Sequence, residues 1–193
     1  VVAVKDYLSD LNVVALEARR LGPDPGRDIQ DSVVMDLMIH DLDIVRYLFG
    51  DEPSDVKAAG IPTGKHASAT LSFEDGKMAT LSASRVTQKK VRQLNVAADN
   101  CYVEVDYLNK NVEIHRDSVP EYVTQDEGVR YRHESVIERP VVENREPLKN
   151  ELEAFLEAVR EDERPQVTGE DGLEAVRLSQ EVEEEAFSGV KDR

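Results

Sequence analysis

Among the side chains able to do chemistry, Asp36 and His40 stand out by their spacing. Four residues apart on a helix, they share one face, and Asp43 and Tyr47 continue that line. The stretch that carries them, residues 33–49 (VVMDLMIHDLDIVRYLF), is apolar nearly all the way round, which predicts a buried helix. Asp31 or Ser32 starts it and Gly50 stops it. A carboxylate and an imidazole on such a helix must pair or face a cleft, because burying an unpaired charge is expensive. An imidazole oriented by a carboxylate is the usual equipment of proton transfer. The same spacing also admits a structural ion pair or a satisfied core histidine. A metal site would need a third ligand, and none of His66, His115 or His133 has spacing that supplies one. Asp43 reads as structural, capping a loop or pairing with Arg46.

Arg20 is the second candidate. Val14, Leu16 and Ala18 give a strand over residues 12–20 an apolar face, and Arg20 ends that face. An arginine there could bind an anionic or hydroxylated ligand, or pair with one of the chain's many acids. Arg130 and Arg132, alternating with Tyr131 and His133, read as a solvated strand face. The single cysteine, Cys101, excludes an intramolecular disulfide framework and reads as a small buried hydrophobe in a strand, in keeping with a reducing cytoplasm.

The elements that must position these groups form a consistent series. A short helix at 2–8 precedes the first strand; because the chain starts inside it, the sequence reads as part of a longer protein. After the 33–49 helix come strand patterns at 55–61, 67–73, 78–86, 93–98, 101–108 and 112–116. Asp75-Gly76 reads as a two-residue hairpin turn, with further tight turns at Asp99-Asn100 and Asn109-Lys110. Residues 118–128 read as a loop and 130–142 as one more strand. Two helices close the chain. Residues 148–160 place Leu148, Leu152, Phe155, Leu156 and Val159 on one face. Residues 172–187, capped within Thr168-Gly169-Glu170-Asp171, turn Leu173, Val176, Val182 and Ala186 inward. Together these predict an α+β, two-layer domain: an open, mainly antiparallel sheet with helices on one face. Val103, Val105 and Tyr107 are expected to make part of the opposite face apolar, an invitation to a homodimer or tetramer through the sheet.

Composition narrows the function further. With 40 Asp and Glu against 24 Lys and Arg, the 193-residue chain carries a formal charge of −16, so nucleic acid and anionic membranes are poor partners. Spread acidity with scarce lysine fits a halophile's solvated surface. No apolar run is long enough to span a bilayer, and no signal sequence is visible, which together predict a cytoplasmic protein. The chain has no glycine-rich dinucleotide turn, phosphate loop, cysteine pair for zinc or serine nucleophile elbow.

Residues 35–44 (MDLMIHDLDI) resemble the helix of the glucose–fructose oxidoreductase/inositol dehydrogenase (Gfo/Idh/MocA) family. Residues 15–23 (ALEARRLGP) resemble the first strand of that family's second domain, 146–155 (EPLKNELEAF) its late helix, and 165–176 (PQVTGEDGLEAV) the entry to its terminal helix. Four matches in order are more specific than any one. The resemblance implies a C-terminal substrate-binding and oligomerisation domain over residues 1–193, with the N-terminal Rossmann domain and its Glu-Lys-Pro lysine lying outside this sequence. It implies an NAD(P)-dependent dehydrogenase when full length, acting on the hydroxyl of a sugar, cyclitol or nucleotide sugar. The late helix is closest to members of the UDP-N-acetylglucosamine 3-dehydrogenase type. Asp36 and His40 then fall on the catalytic pair, with His40 as acid/base and Arg20 as a substrate-binding residue. NAD or NADP would bind the full-length protein, with no cofactor, metal or turnover expected of this chain alone. The alternative from a different class is a non-catalytic ligand-binding or assembly module on the same fold. A third, metal-dependent hydrolysis, requires a bound metal.

Overall fold

Alternating hydrophobicity and short turns build most of this chain into one sheet. The computed structural model describes residues 2–8, 11–117, 121–125, 128–132, 135–141 and 146–189. Helix α1 (Val2–Leu8) leads to β1 (Val13–Leu21), and a π-helical turn (Val34–Met38) runs into α2 (Ile39–Phe49). Strands β2 (Asp55–Gly60), β3 (His66–Ser72), β4 (Met78–Ser84), β5 (Val91–Ala98), β6 (Cys101–Asp106), β7 (Asn111–Asp117) and β10 (Ser135–Glu138) join β1 in an eight-stranded sheet. Its order is β10-β7-β6-β5-β1-β4-β3-β2, and every pairing is antiparallel except β1 with β4. The expected fold class therefore stands.

Two apolar rows cross the inner face. Ala79, Leu16, Val96, Val103 and Ile114 lie side by side across five strands, as do Leu81, Ala18, Leu94, Val105 and Val112, and all ten are buried. Burial of each Leu, Ile or Val here contributes on the order of 1.5–3 kcal/mol. The π-helical turn and α2 cover them with Val34, Met38, Leu42 and Val45, and α1 adds Val4 and Leu8 to the same core. Helix α4 (Gly169–Phe187) lies against β2, where Phe187 comes so close to Gly60 that a Cβ there would stand 2.1 Å from the ring. Thr168 and Asp171 form the reciprocal cap expected at the start of α4.

Four expectations need correction. Val103 and Val105 belong to the core face, not the opposite one, because they alternate in register with Val96 and Leu94. The outer face is polar instead: Lys57, Thr70, Thr80, Glu17, Asn95, Glu104 and Glu113 form one continuous row. Helix α4 buries Ala175, Leu178, Ser179, Val182 and Ala186, while Leu173 and Val176 fall on its solvent flank. The β3–β4 hairpin loop, Glu74-Asp75-Gly76 inside the bonded pair Phe73 and Lys77, has three residues, not two: Gly76 donates to Phe73 O and takes φ 87°. Between residues 118 and 142, β8 (Glu121–Gln125) and β9 (Gly128–Arg132) make a separate two-stranded ribbon, so the expected loop contains a strand and the expected single strand is two, β9 and β10. The side chains of Arg130, Tyr131, Arg132 and His133 lie outside the described residues.

Candidate active site

Ser32, rather than Asp31, starts the signature helix: its Oγ accepts from the N–H of Val34 at 3.1 Å and of Met35 at 3.3 Å. The first turn is π-helical, with Ile39 N–H reaching back five residues to Val34 O. Such a turn is one residue wider than an α-turn and is frequent at functional sites. It breaks the 3.6-residue ladder between Asp36 and His40, so the two do not stack as simple helical spacing predicts. Gly50 ends the helix in the left-handed region, φ 73°, donating to Arg46 O.

The inner face of the sheet ends in a charged row directly beneath this widened turn. Arg20 of β1 sits opposite Arg92 of β5, and Tyr107, just beyond β6, donates its N–H to Arg92 O. Arg20 grips Asp41 with both arms of its guanidinium, Nε to Oδ2 at 2.8 Å and Nη2 to Oδ1 at 2.6 Å. The pair is nearly sealed, with Asp41 only 6% and Arg20 18% exposed. Arg85, following β4, donates from Nη2 to Asp36 Oδ2 at 2.6 Å and from Nη1 to Asp31 O at 2.8 Å. Arg85 is 7% exposed, but Asp36 remains 34% exposed and keeps its second oxygen without a partner among the described residues. Burial pushes the Tyr107 hydroxyl far above its ordinary range, with the Asp41 carboxylate adding to the shift.

His40 faces outward. It is exposed and has no hydrogen-bond partner among the described residues. Its charge reaches Asp43, whose carboxyl is pushed up by burial and by Asp171, while Arg46 and His40 pull it down. An open cleft of about 580 Å³ begins one turn further along α2, lined by Asp43, Tyr47, Lys5, Arg46 and Gln166. The structure thus places a partly exposed Asp36 and an exposed His40 on the helix without a bond between them, and the cleft is lined by Asp43 and Tyr47 further along it. Asp43 pairs loosely with Arg46 at 3.9 Å, as its structural reading anticipates.

Sequence reasoning missed Asp41, Arg85, Arg92 and Tyr107. Arg85 and Arg92 continue the inward register of their strands beyond the apolar rows, the signal that singled out Arg20. Arg20 makes the ion pair that was one of its two foreseen roles. A further cluster lies on the outer face: His115 Nε2 is 3.1 Å from Glu104 and 3.7 Å from Glu113, with the three ligand atoms within 4.8 Å of one another. Cross-strand pairing assembles it, which linear spacing could not reveal, and Arg139 engages Glu113 at 2.9 Å. Cys101 is buried in β6 as expected, and burial raises its thiol pKa.

Residues 24–191 match the family described as the oxidoreductase family, C-terminal alpha/beta domain. The chain is 35% identical over 151 residues to UDP-N-acetylglucosamine 3-dehydrogenase of Acidithiobacillus ferrooxidans, covering 75% of this chain and 45% of that protein. It is 27% identical over 180 residues to myo-inositol 2-dehydrogenase of Thermotoga maritima, covering 86% and 51%. A solved structure of the A. ferrooxidans enzyme superposes with a TM-score of 0.80 at 29% identity, over 97% of this chain and 58% of that one. Levoglucosan dehydrogenase, solved with NADH and levoglucosan, shares the fold with a TM-score of 0.72 at 14% identity, over 95% and 60%. The chain spans about half the length of the curated relatives it matches.

Proposed function

The chain belongs to the Gfo/Idh/MocA oxidoreductase family as its C-terminal domain, and from that premise we propose that it is the substrate-side half of an NAD(P)-dependent dehydrogenase acting on a sugar hydroxyl, of the nucleotide-sugar type. The 35% identity to UDP-N-acetylglucosamine 3-dehydrogenase supports that substrate class. His40 is the acid/base: one imidazole nitrogen takes the proton of the reacting hydroxyl as the alcohol becomes a carbonyl, and returns it in reverse. The observation that carries this role is the position of His40, exposed and unbonded, one turn from a carboxylate that Arg85 holds in place. Asp36 keeps an oxygen with which to orient the imidazole and stabilise its protonated form.

The residues of this chain do not fit a dinucleotide: they include no glycine-rich turn between strand and helix. NAD or NADP is therefore assigned to the Rossmann domain proposed for the full-length protein. The isolated chain is expected to bind neither cofactor tightly and to turn nothing over. Calorimetric titration of this chain with each cofactor checks that point, and micromolar binding would contradict it. No helix among the described residues is long and apolar enough to cross a membrane; a cytoplasmic, self-associating enzyme remains the proposal.

The test of the reaction class is nicotinamide reduction by the full-length protein over a panel of UDP-sugars, cyclitols and free sugars. Oxidation of a UDP-sugar is expected, and inertness across the panel would overturn the reading. One observation favours the second reading, a non-catalytic module. Asp36 is bonded to Arg85 and not to His40, as a purely structural ion pair would be.

A further inference from the structure

The charged row beneath the signature helix does not balance. Three guanidinium groups, from Arg20, Arg85 and Arg92, meet two carboxylates. Asp41 is occupied by both arms of Arg20, and Asp36 by Arg85. Among the described residues Arg92 has only backbone partners, Nη1 to Leu21 O and to Val91 O, each at 2.8 Å. Its Nε and Nη2 meet no acceptor among the described residues. Arg92 also faces Arg20 directly across the strand pair, a like-charge arrangement that disfavours both unless an anion joins them. Burial, and then the Arg20 charge, lower the Arg92 pKa, while the Asp41 and Asp36 carboxylates, each bonded to another arginine, partly offset them.

The sequence makes the same point independently. A chain with 40 acids in 193 residues has none between residues 76 and 98, a stretch holding Lys77, Arg85, Lys89, Lys90 and Arg92. Four of those five lie at one end of the sheet, from the exit of β4 to the entry of β5, and Lys89 and Lys90 are exposed on the connecting loop. That loop is tied to the exit of β1 by Thr87 N–H to Gly22 O at 3.1 Å. A protein of strongly negative net charge thus presents a local run of cationic side chains at the end of the sheet where Arg85 meets Asp36, with Asp106 the acid within electrostatic reach of Lys89.

We propose that Arg92, with Lys89 and Lys90 on the loop that leads into its strand, forms a subsite for a phosphate or diphosphate group carried by the substrate. A planar fork with open N–H groups suits a tetrahedral oxyanion, and flanking ammonium groups add charge without demanding geometry. In an acidic protein such a subsite also steers an anionic substrate to one place on a surface that otherwise repels it. The proposal rests on the dehydrogenase reading for the identity of the ligand as substrate, but not for the existence of the site.

The test is titration of this chain with inorganic pyrophosphate, UDP and uridine at constant ionic strength, followed by calorimetry. UDP and pyrophosphate are expected to bind, UDP the tighter, and uridine not. Arg92→Gln and, separately, the surface double variant Lys89→Gln/Lys90→Gln should each weaken diphosphate binding about tenfold or more, the scale of lost charge-assisted hydrogen bonds. Lys57→Gln, on β2, should not. Absence of diphosphate binding, or uridine binding equal to UDP, would overturn the subsite, as would affinity unchanged in both the Arg92 and the double-lysine variants. Equal affinity for UDP and pyrophosphate would overturn its assignment to the substrate. In the full-length enzyme, Arg92→Gln should raise KM for a phosphorylated sugar, whereas loss of His40 should lower kcat. An unaffected kcat in the latter would defeat the catalytic reading and leave the titration to judge the subsite by itself.

Discussion

Two ion pairs anchor the same helix to the same sheet, and they differ in how they are closed. Asp41 and Arg20 are joined by two parallel hydrogen bonds in a nearly dry setting. Asp36 and Arg85 share one bond, and the carboxylate stays one-third exposed with an oxygen to spare. The first arrangement fixes the helix; the second fixes a carboxylate while leaving it available. Asp36 lies within the π-helical turn, and Asp41, five positions on, lies in the regular α-helix that follows. The lesson is that a charged residue at a site is read by what its second oxygen or second arm is doing, not by its presence.

The comparison predicts effects of different size. Asp41→Ala strands the buried Arg20 guanidinium and should lower stability by about 3–5 kcal/mol, measured by chemical denaturation. Replacing both partners with leucine should recover most of that loss; failure to recover would show that the pair does more than hold the helix. Arg85→Gln removes the bond to the partly solvated Asp36 carboxylate and the bond to Asp31 O, and should lower stability by about 1–3 kcal/mol. A loss matching that of Asp41→Ala would erase the distinction between the pairs.

The smallest effect concerns Asp43, which lies further along the same helix. Its carboxyl is raised above the ordinary 3.8, chiefly by burial. A carboxyl with a raised pKa in the folded state binds its proton more tightly there than in the unfolded chain. Ionising it therefore removes stability as pH climbs from about the ordinary value through the raised one. Asp43→Asn should match the native melting temperature in acid below that window and exceed it slightly at neutral pH. The gain is small because Asp43 is 40% exposed and solvent screens it. A variant less stable at neutral pH would mean that the 3.9 Å contact with Arg46 outweighs burial.

Much of this architecture is legible in the sequence, for local reasons. Period-two alternation locates β1 to β7 within a residue or two, Gly50 marks the helix end, and Thr168 with Asp171 marks a helix start. What is illegible depends on register and on neighbours distant in sequence. Val103 and Val105 carry the right alternation for either face, and only pairing with Val96 and Leu94 assigns them to the core. The apolar stripe of α3 (Pro147–Glu161) is as clear as that of α4, yet Leu148, Leu152, Phe155, Leu156 and Val159 are all exposed. Amphipathicity states which face seeks cover, not what supplies it. At the site, Asp36 and His40 were visible because they share a short segment, whereas Arg85 lies 49 residues beyond Asp36 and no local pattern links the two. The π-turn escaped because an i, i+4 argument presumes the α-helical period it interrupts.

The central claim is that His40 does proton chemistry rather than support the fold. In the full-length protein, His40→Ala should reduce kcat by roughly a hundredfold or more, the usual scale of acid–base catalysis. Its melting temperature should stay near that of the native enzyme, because the side chain is exposed and makes no hydrogen bond among the described residues. Undiminished turnover, or a loss that merely tracks unfolding, would contradict it.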